Sequence, residues 1–93
     1  MFAVFRERAS DAGLGDEQTK EFRGIRAQQP GFRGAVEVEA DDGRVLTLIL
    51  WDSAEQQQAA TTALRAAVLR LGGTQPAGPT GKGQVIYNDL TKS

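Results

Sequence analysis

The sequence contains neither cysteine nor histidine, and these two absences exclude several kinds of site. Without cysteine there is no disulfide, no thiolate zinc site and no thiol nucleophile. Without histidine there are no imidazole metal ligands, no serine–histidine–aspartate triad and no histidine ligand for haem iron. Composition therefore excludes much chemistry and identifies no function.

The chain also lacks an excess of charge of either sign. Eleven basic and twelve acidic residues give a net charge of -1, whereas a nucleic-acid-binding protein usually carries a net-positive face. We therefore expect no nucleic-acid partner.

Long apolar runs are missing as well. The longest, residues 45–51, is far shorter than the ~20 residues that a helix needs to span a bilayer. The first residues lack the charged segment and long apolar segment of a signal peptide. We expect no membrane association and a cytoplasmic location.

Hydrophobic periodicity predicts one domain, residues 1–93, with four strands and two helices. The strands are expected at residues 1–7, 32–40, 44–51 and 84–88, with a loop at 74–83. The first helix is expected to run from an N-cap at Asp16 to about Gln28. The second is expected to begin at a capping box of Ser53 and Gln56 and to end at residues 72–73.

The second strand alternates between apolar and charged side chains. Phe32, Val36 and Val38 are expected on one face and Glu37 and Glu39 on the other, which is typical of a half-exposed strand. Residues 41–43, Asp-Asp-Gly, predict a hairpin turn to the third strand. That strand is apolar on both faces, as expected at the centre of a sheet.

The resulting order, βαββαβ, predicts an α+β, ferredoxin-like fold with a four-stranded antiparallel sheet and both helices on one face. The other face would keep apolar residues that a single 93-residue chain cannot cover. We therefore expect a homodimer formed by sheet-to-sheet packing.

Three motifs have simpler structural explanations. Residues 78–83 lack the spacing of a phosphate-binding loop, so a flexible loop is favoured. Asp41 and Asp42 fit a turn better than a metal site, and no metal is expected. Three arginines near the end of the first helix are candidates for an anion site, although solvated side chains explain them more simply: Arg23, Arg26 and Arg33.

The aromatic residues near the strand ends are the remaining candidates for a ligand site. Trp51 ends the third strand, and Tyr87 and Asn88 end the fourth. Together they offer aromatic walls and hydrogen-bonding groups of the kind found in small-molecule pockets. A place in the core is the alternative for Trp51 and Tyr87.

Three segments resemble one known family. They are residues 29–34 (Gln-Pro-Gly-Phe-Arg-Gly), residues 42–44 (Asp-Gly-Arg) and residues 48–55 (Leu-Ile-Leu-Trp-Asp-Ser-Ala-Glu). In this order they resemble the antibiotic-biosynthesis monooxygenase (ABM) domain family of dimeric α+β barrels, over nearly the whole chain. The position of Trp51 matches the tryptophan that ends the third strand in that family.

The resemblance implies a homodimer with a pocket between the sheet and the helices of each subunit. It also implies oxygenation of a phenolic, quinol or anthrone-like substrate by O2 with no cofactor, flavin or metal. The haem-degrading branch of the family has a histidine on the second helix and an asparagine near the end of the first strand. Here there is no histidine, and Glu7 takes the strand position, so haem degradation is not expected.

Two functions from different classes remain open. In the first, a cofactor-independent monooxygenase, Trp51 and Tyr87 sandwich an aromatic substrate and Glu7 or Asn88 contacts its hydroxyl group. Arg6 is a further polar candidate, and strand register decides which of these side chains face the pocket. In the second, a non-catalytic dimeric barrel binds a small ligand or serves as an assembly module.

Overall fold

The computed structural model describes residues 1–9, 14–73 and 79–89. Its elements, in chain order, are β1 (Phe2–Ala9), α1 (Asp16–Ala27), β2 (Phe32–Glu39), β3 (Arg44–Trp51), α2 (Ala54–Arg70) and β4 (Gly81–Gln84). The strands form one antiparallel sheet in the order β2-β3-β1-β4. The predicted ferredoxin-like α+β fold is therefore confirmed.

Alternation along the strands gives the sheet two different faces. The face that packs against the helices, called the helix face, includes Phe2, Val4, Arg6, Glu37, Thr47, Ile49 and Trp51. The opposite face, called the open face, includes Ala3, Phe5, Glu7, Val36, Val38, Leu46, Leu48 and Leu50. The register fixes both sets, because residues paired across an antiparallel ladder point to the same side.

The core lies between the helix face and α2. Val4 and Trp51 are 1% and 2% exposed, and Phe2, Ile49 and Ala60 complete the buried cluster. The small side chain of Ala60 allows α2 to approach the sheet closely, in agreement with the alanine-rich stripe of this helix. The same cluster forms the apolar floor of any space between the sheet and the helices.

A β-bulge between Phe32 and Gly34 changes the face of the first residue of β2. The simple alternation placed Phe32 with Val36, but the extra residue moves Phe32 to the helix face, where its ring meets Trp51 edge-on at 5.7 Å between centroids. The predicted separation of the two valines from Glu37 is confirmed. Glu37 faces the helices, and Val36 and Val38 lie on the open face, 47% and 50% exposed.

The helix ends agree with the sequence at α2 and differ at α1. The Ser53 hydroxyl accepts a hydrogen bond from the Gln56 backbone N–H at 3.2 Å, so the predicted N-cap is confirmed. The side chain of Gln56 accepts from the Ser53 hydroxyl at 3.1 Å, so the second bond differs from that of a capping box. Gly72 follows the helix with φ 94°, a conformation that glycine adopts without strain. At α1 the N-cap is Gly15, and Asp16 is instead the first helical residue.

The predicted hairpin between β2 and β3 is confirmed. Gly43 has φ 88°, and the backbone N–H of Ala40 donates to the carbonyl of Arg44 at 2.7 Å. Asp42 accepts from the backbone N–H and the Nε of Arg44. The turn therefore accounts for the two aspartates that were also considered as cation ligands.

The last strand lies earlier than expected. β4 is Gly81–Gln84, whereas the sequence favoured residues 84–88 because Val85, Ile86 and Tyr87 have high β-propensity. The backbone of β4 pairs with β1 from Phe2 to Phe5, and this tertiary pairing overrides local propensity. The predicted loop is therefore wrong over residues 81–83, and its residues 74–78 lie outside the described residues.

Within the described ranges, no helix has both the length and the apolar character that crossing a membrane requires.

Candidate functional site

The helix face has an apolar end and a polar end. The apolar end contains the core around Trp51. At the polar end, Arg6, Thr47 and Glu37 lie side by side on three neighbouring strands, since Thr47 pairs with Arg6 on one side and Glu37 on the other. We call these three residues the polar row. Polar side chains beside an apolar floor are the usual lining of a small-molecule site.

Two arginines of α1 hold Glu37. Arg23 donates to it through Nε and Nη2, both at 3.1 Å, and Arg26 donates through Nη2 at 2.8 Å. Desolvation alone would raise the pKa of Glu37, but the hydrogen bonds and charges of the two arginines outweigh it and lower the pKa to about 2. Glu37 is therefore ionised at neutral pH and is a poor proton acceptor.

Arg26 is buried between the helix and the sheet, with 7% exposure. Its guanidinium carbon lies 5.9 Å from the centre of the Phe22 ring and 6.0 Å from that of Phe32, which is a cation–π arrangement. Its Nε has no hydrogen-bond partner in the described part of the chain. The pair with Glu37 is what compensates this buried charge.

Arg6 and Thr47 form the other half of the polar row. Arg6 is half-buried, and its pKa is lowered first by this desolvation and then by the positive charge of Arg65 on α2. Thr47 is 7% exposed as a residue. This end of the row therefore combines a hydroxyl group with the positive charges of Arg6 and Arg65.

The register separates Arg6 from Glu7. Glu7 pairs with Leu46 on the open face, and its Oε1 accepts from Nη1 of Arg44 at 2.6 Å. Glu7 therefore faces away from the helices. Of these two polar neighbours in β1, Arg6 is the one that faces them. The sequence indicates this orientation of Arg6, because strand alternation places it on the same face as Phe2 and Val4.

The aromatic and amide candidates are not gathered in one place. Trp51 is buried in the core, whereas Tyr87 is 77% exposed and its hydroxyl reaches Asp89 at 3.5 Å. Asn88 is exposed, and its Nδ2 contacts Sδ of Met1 at 3.6 Å. Among the described residues, the ring of Trp51 packs against that of Phe32 and not against Tyr87.

The three candidate arginines divide into two groups. Arg23 and Arg26 converge on Glu37, as described, while Arg33 forms an ion pair with Asp52 at the surface. The three arginines therefore form no single cluster, because Arg33 lies at the bulge in β2. The favoured interpretation, solvated side chains, holds for Arg23 and Arg33, which are about half exposed, and is wrong for Arg26, which is buried. Among the described residues, no group of three acidic side chains could hold a metal ion.

The sequence matches no protein-family model and no curated protein. Solved structures are similar, however. One is the haem-degrader MhuD from Mycobacterium tuberculosis with two haems bound in its active site: 22% identity over 94% of this chain and 96% of that chain, TM-score 0.58. Another is a protein from Nitrosomonas europaea assigned as an antibiotic biosynthesis monooxygenase: 13% identity over 94% and 100% of the two chains, TM-score 0.52. The chain therefore has the fold of these proteins, and the resemblance drawn from its sequence is confirmed at the level of fold.

Proposed function

We propose that the chain is a cofactor-independent monooxygenase that acts on a small aromatic substrate with an ionisable oxygen, such as a phenol, quinol or anthrone. The observation that carries this proposal is the helix face, on which an apolar floor adjoins the polar row. In this proposal an aromatic ring lies beside the first part and an ionised oxygen beside the second. The fold shared with an assigned antibiotic biosynthesis monooxygenase supports the same reaction class.

The reaction needs little from the protein. An anthrone loses a proton, and its anion supplies the electrons that reduce O2. One oxygen atom becomes the new carbonyl, and the other leaves as water with the two hydrogens of the oxidised carbon. Because Glu37 is held ionised by arginines, we assign the protein no strong base. Its contribution is to stabilise the anion and to exclude water.

We further propose that two copies pair through their open faces. Phe5 is 53% exposed and Leu46 is 37% exposed, and with Val36 and Val38 they form an apolar surface that neither α1 nor α2 covers. The ion pair of Glu7 with Arg44 lies beside it. An apolar centre with charged residues at its edge is typical of a protein interface, and a second copy would bury it symmetrically.

Haem is not proposed as a substrate, although MhuD is a haem-degrader. This chain contains no histidine and no cysteine, and its single tyrosine, Tyr87, is exposed. These residues offer no buried axial ligand for haem iron.

Oxygen consumption by the purified chain tests the proposal. With 1,8-dihydroxyanthrone, we expect O2 to be consumed faster than in buffer alone. Trp51→Phe should lower the rate, because it reduces the apolar floor, whereas Arg33→Gln, at a surface ion pair, should not. No O2 uptake with anthrones or dihydroxyaromatics, together with no change in Trp51 fluorescence, would contradict any pocket function.

A non-catalytic barrel that binds a small ligand is the second candidate. The observation that favours it is the separation of Trp51, Tyr87 and Glu7, which were expected to act together. Binding of aromatic ligands without O2 consumption would select this function.

A further inference from the structure

Arg26 of α1 carries the one buried side-chain nitrogen that has no hydrogen-bond partner among the described residues. This atom is Nε. Nη2 of the same guanidinium donates to Glu37 at 2.8 Å, and only 9% of the side chain is exposed. A buried N–H group without an acceptor is unfavourable and needs an explanation. An oxygen atom of a bound ligand would supply the acceptor.

The surroundings of Arg26 are aromatic. Its guanidinium carbon lies about equally far from the rings of Phe22 and Phe32, at 5.9 and 6.0 Å from their centres. The ring of Phe32 in turn meets Trp51 edge-on. A hydrogen-bond donor among aromatic rings is suited to a flat aromatic ligand that carries an acceptor.

The charge of Arg26 indicates which kind of acceptor. Its guanidinium is already paired with the carboxylate of Glu37, which Arg23 also holds. Nε therefore lacks an acceptor but does not lack a counter-ion. A carbonyl oxygen meets this need without adding a charge to a buried space, and an N–H group of a charged guanidinium forms a strong hydrogen bond to it.

A ligand oxygen reaches Nε only if α1 moves relative to β2, because this atom is covered in the structure. The attachment of α1 permits such movement. Arg26 is the only fully buried residue of α1, whereas α2 buries four: Gln57, Ala60, Ala67 and Val68. Elements that bury few apolar side chains open at a low free-energy cost. We therefore take α1 as the wall of the site that moves.

We infer that Nε of Arg26 donates a hydrogen bond to the carbonyl oxygen of an aromatic ketone bound between α1 and the sheet. In the anion of an anthrone this oxygen carries much of the negative charge, so the same bond also favours the ionised ligand. This inference rests on the proposed function for the location of the ligand. It adds the residue that recognises the ligand and the functional group that is recognised.

A substitution at Arg26 and two probes test this inference by isothermal titration calorimetry. Arg26→Lys places a methylene group where Nε lies and keeps a positive charge for Glu37. The probes are 1-tetralone, an aromatic ketone, and tetralin, the same two-ring hydrocarbon without the carbonyl group. We expect Arg26→Lys to weaken the binding of 1-tetralone about 10-fold, the loss of one hydrogen bond from a charged donor, and to leave tetralin unchanged.

The matched control is Arg23→Lys. It makes the same replacement in the other arginine that pairs with Glu37, but Nε of Arg23 already donates to Glu37 at 3.1 Å, and the side chain is half exposed. The affinities for both probes should stay the same. An equal loss for 1-tetralone in Arg23→Lys and Arg26→Lys would overturn the assignment to Nε of Arg26.

An equal loss for both probes in Arg26→Lys would also overturn the inference, because it would mean that Arg26 only supports the fold. The infrared carbonyl band of bound 1-tetralone keeps the test valid if Arg26→Lys fails to fold. With the unsubstituted chain, the band should lie at or below its wavenumber in water. A band at the higher wavenumber seen in cyclohexane would mean that the carbonyl accepts no hydrogen bond and would overturn the inference.

Oxygen uptake separates this inference from the proposed function. A loss in Arg26→Lys that is specific for the ketone, without O2 consumption by the unsubstituted chain, would retain the Arg26 contact and reject the oxygenase. Consumption of O2 together with unchanged binding of 1-tetralone in Arg26→Lys would do the reverse.

Discussion

The two faces of the sheet are built from alternate residues of the same strands, yet they have opposite surroundings. On the helix face, Val4 and Trp51 are almost completely buried, although the same face holds an arginine, a glutamate and a threonine. On the open face, Phe5 and Val38 are apolar and about half exposed. The helix face is therefore buried although it carries polar side chains, and the open face is exposed although it is apolar.

This mismatch indicates two different tasks. Polar groups inside a small domain are costly unless they are paired, so their presence on the helix face suggests recognition of a ligand. Apolar groups on an uncovered sheet are unfavourable in water, so their presence on the open face suggests a protein partner. Substitutions on the helix face should disturb ligand recognition without affecting the dimer, and substitutions on the open face should do the opposite.

The largest effect is expected at the apolar end of the helix face. Trp51→Ala removes a ring that is 2% exposed and packs against Phe32, and it should lower the free energy of unfolding by about 3–5 kcal/mol. Urea denaturation measures this loss. Ile86→Ala, at a side chain that is 99% exposed, is the control and should change stability by less than about 0.5 kcal/mol. Equal effects would mean that Trp51 is not part of the core.

Charges on the open face should separate the proposed dimer without unfolding the chain. In the double variant Val36→Lys with Val38→Lys, the dimer would bury four unpaired ammonium groups, so its dissociation constant should rise about 100-fold or more, roughly 2.7 kcal/mol. Light scattering over a dilution series measures it. The control places lysines at Gln58 and Thr62, which are exposed on α2. A strictly monomeric mass for the unsubstituted chain would reject the dimer.

Glu37→Gln tests the charge pairing at the polar end. The folded pKa of about 2 lies below the ordinary glutamate value of 4.5, so the carboxylate stabilises the fold above about pH 4.5 and loses this contribution as the pH falls toward 2. At pH 7 we expect a loss of about 1–2 kcal/mol, reduced from the full shift because Arg23 is half exposed to water. Urea denaturation at several pH values should show the two proteins converging near pH 2. A constant difference would show that charge is not the cause.

The smallest effect concerns the start of α2, the helix that covers the core. Ser53→Ala removes the hydroxyl that accepts from the Gln56 backbone and should cost about 1 kcal/mol. Thermal unfolding should show a modest decrease in melting temperature. Thr62→Ala, at an exposed position in the same helix, should show no decrease.

Much of the fold could be predicted from local patterns. The apolar strands β1 and β3, the Asp-Asp-Gly turn and the N-cap at Ser53 each depend on a few neighbouring residues, and the structure has all of them. The bulge after Phe32 and the pairing of β4 depend on partners distant in sequence, and both were missed. Local propensity does not contain that information.

The candidate site was less predictable for the same reason. Arg6 and Glu7 are equally polar neighbours, and only the register shows which of them faces the helices. Thr47 lies in an apolar run, and only the register shows that it lies between Arg6 and Glu37 on the helix face. The alternation in β2 predicts the face on which Glu37 lies, but not its contacts with Arg23 and Arg26 of α1, which are distant in sequence.

The most direct test of the account is the rate of O2 consumption with 1,8-dihydroxyanthrone, measured for the unsubstituted chain and for Trp51→Phe. If the helix face binds a substrate anion and excludes water from it, the unsubstituted chain consumes O2 faster than buffer, and Trp51→Phe lowers that rate. A rate no faster than buffer, or one that Trp51→Phe leaves unchanged, would contradict it.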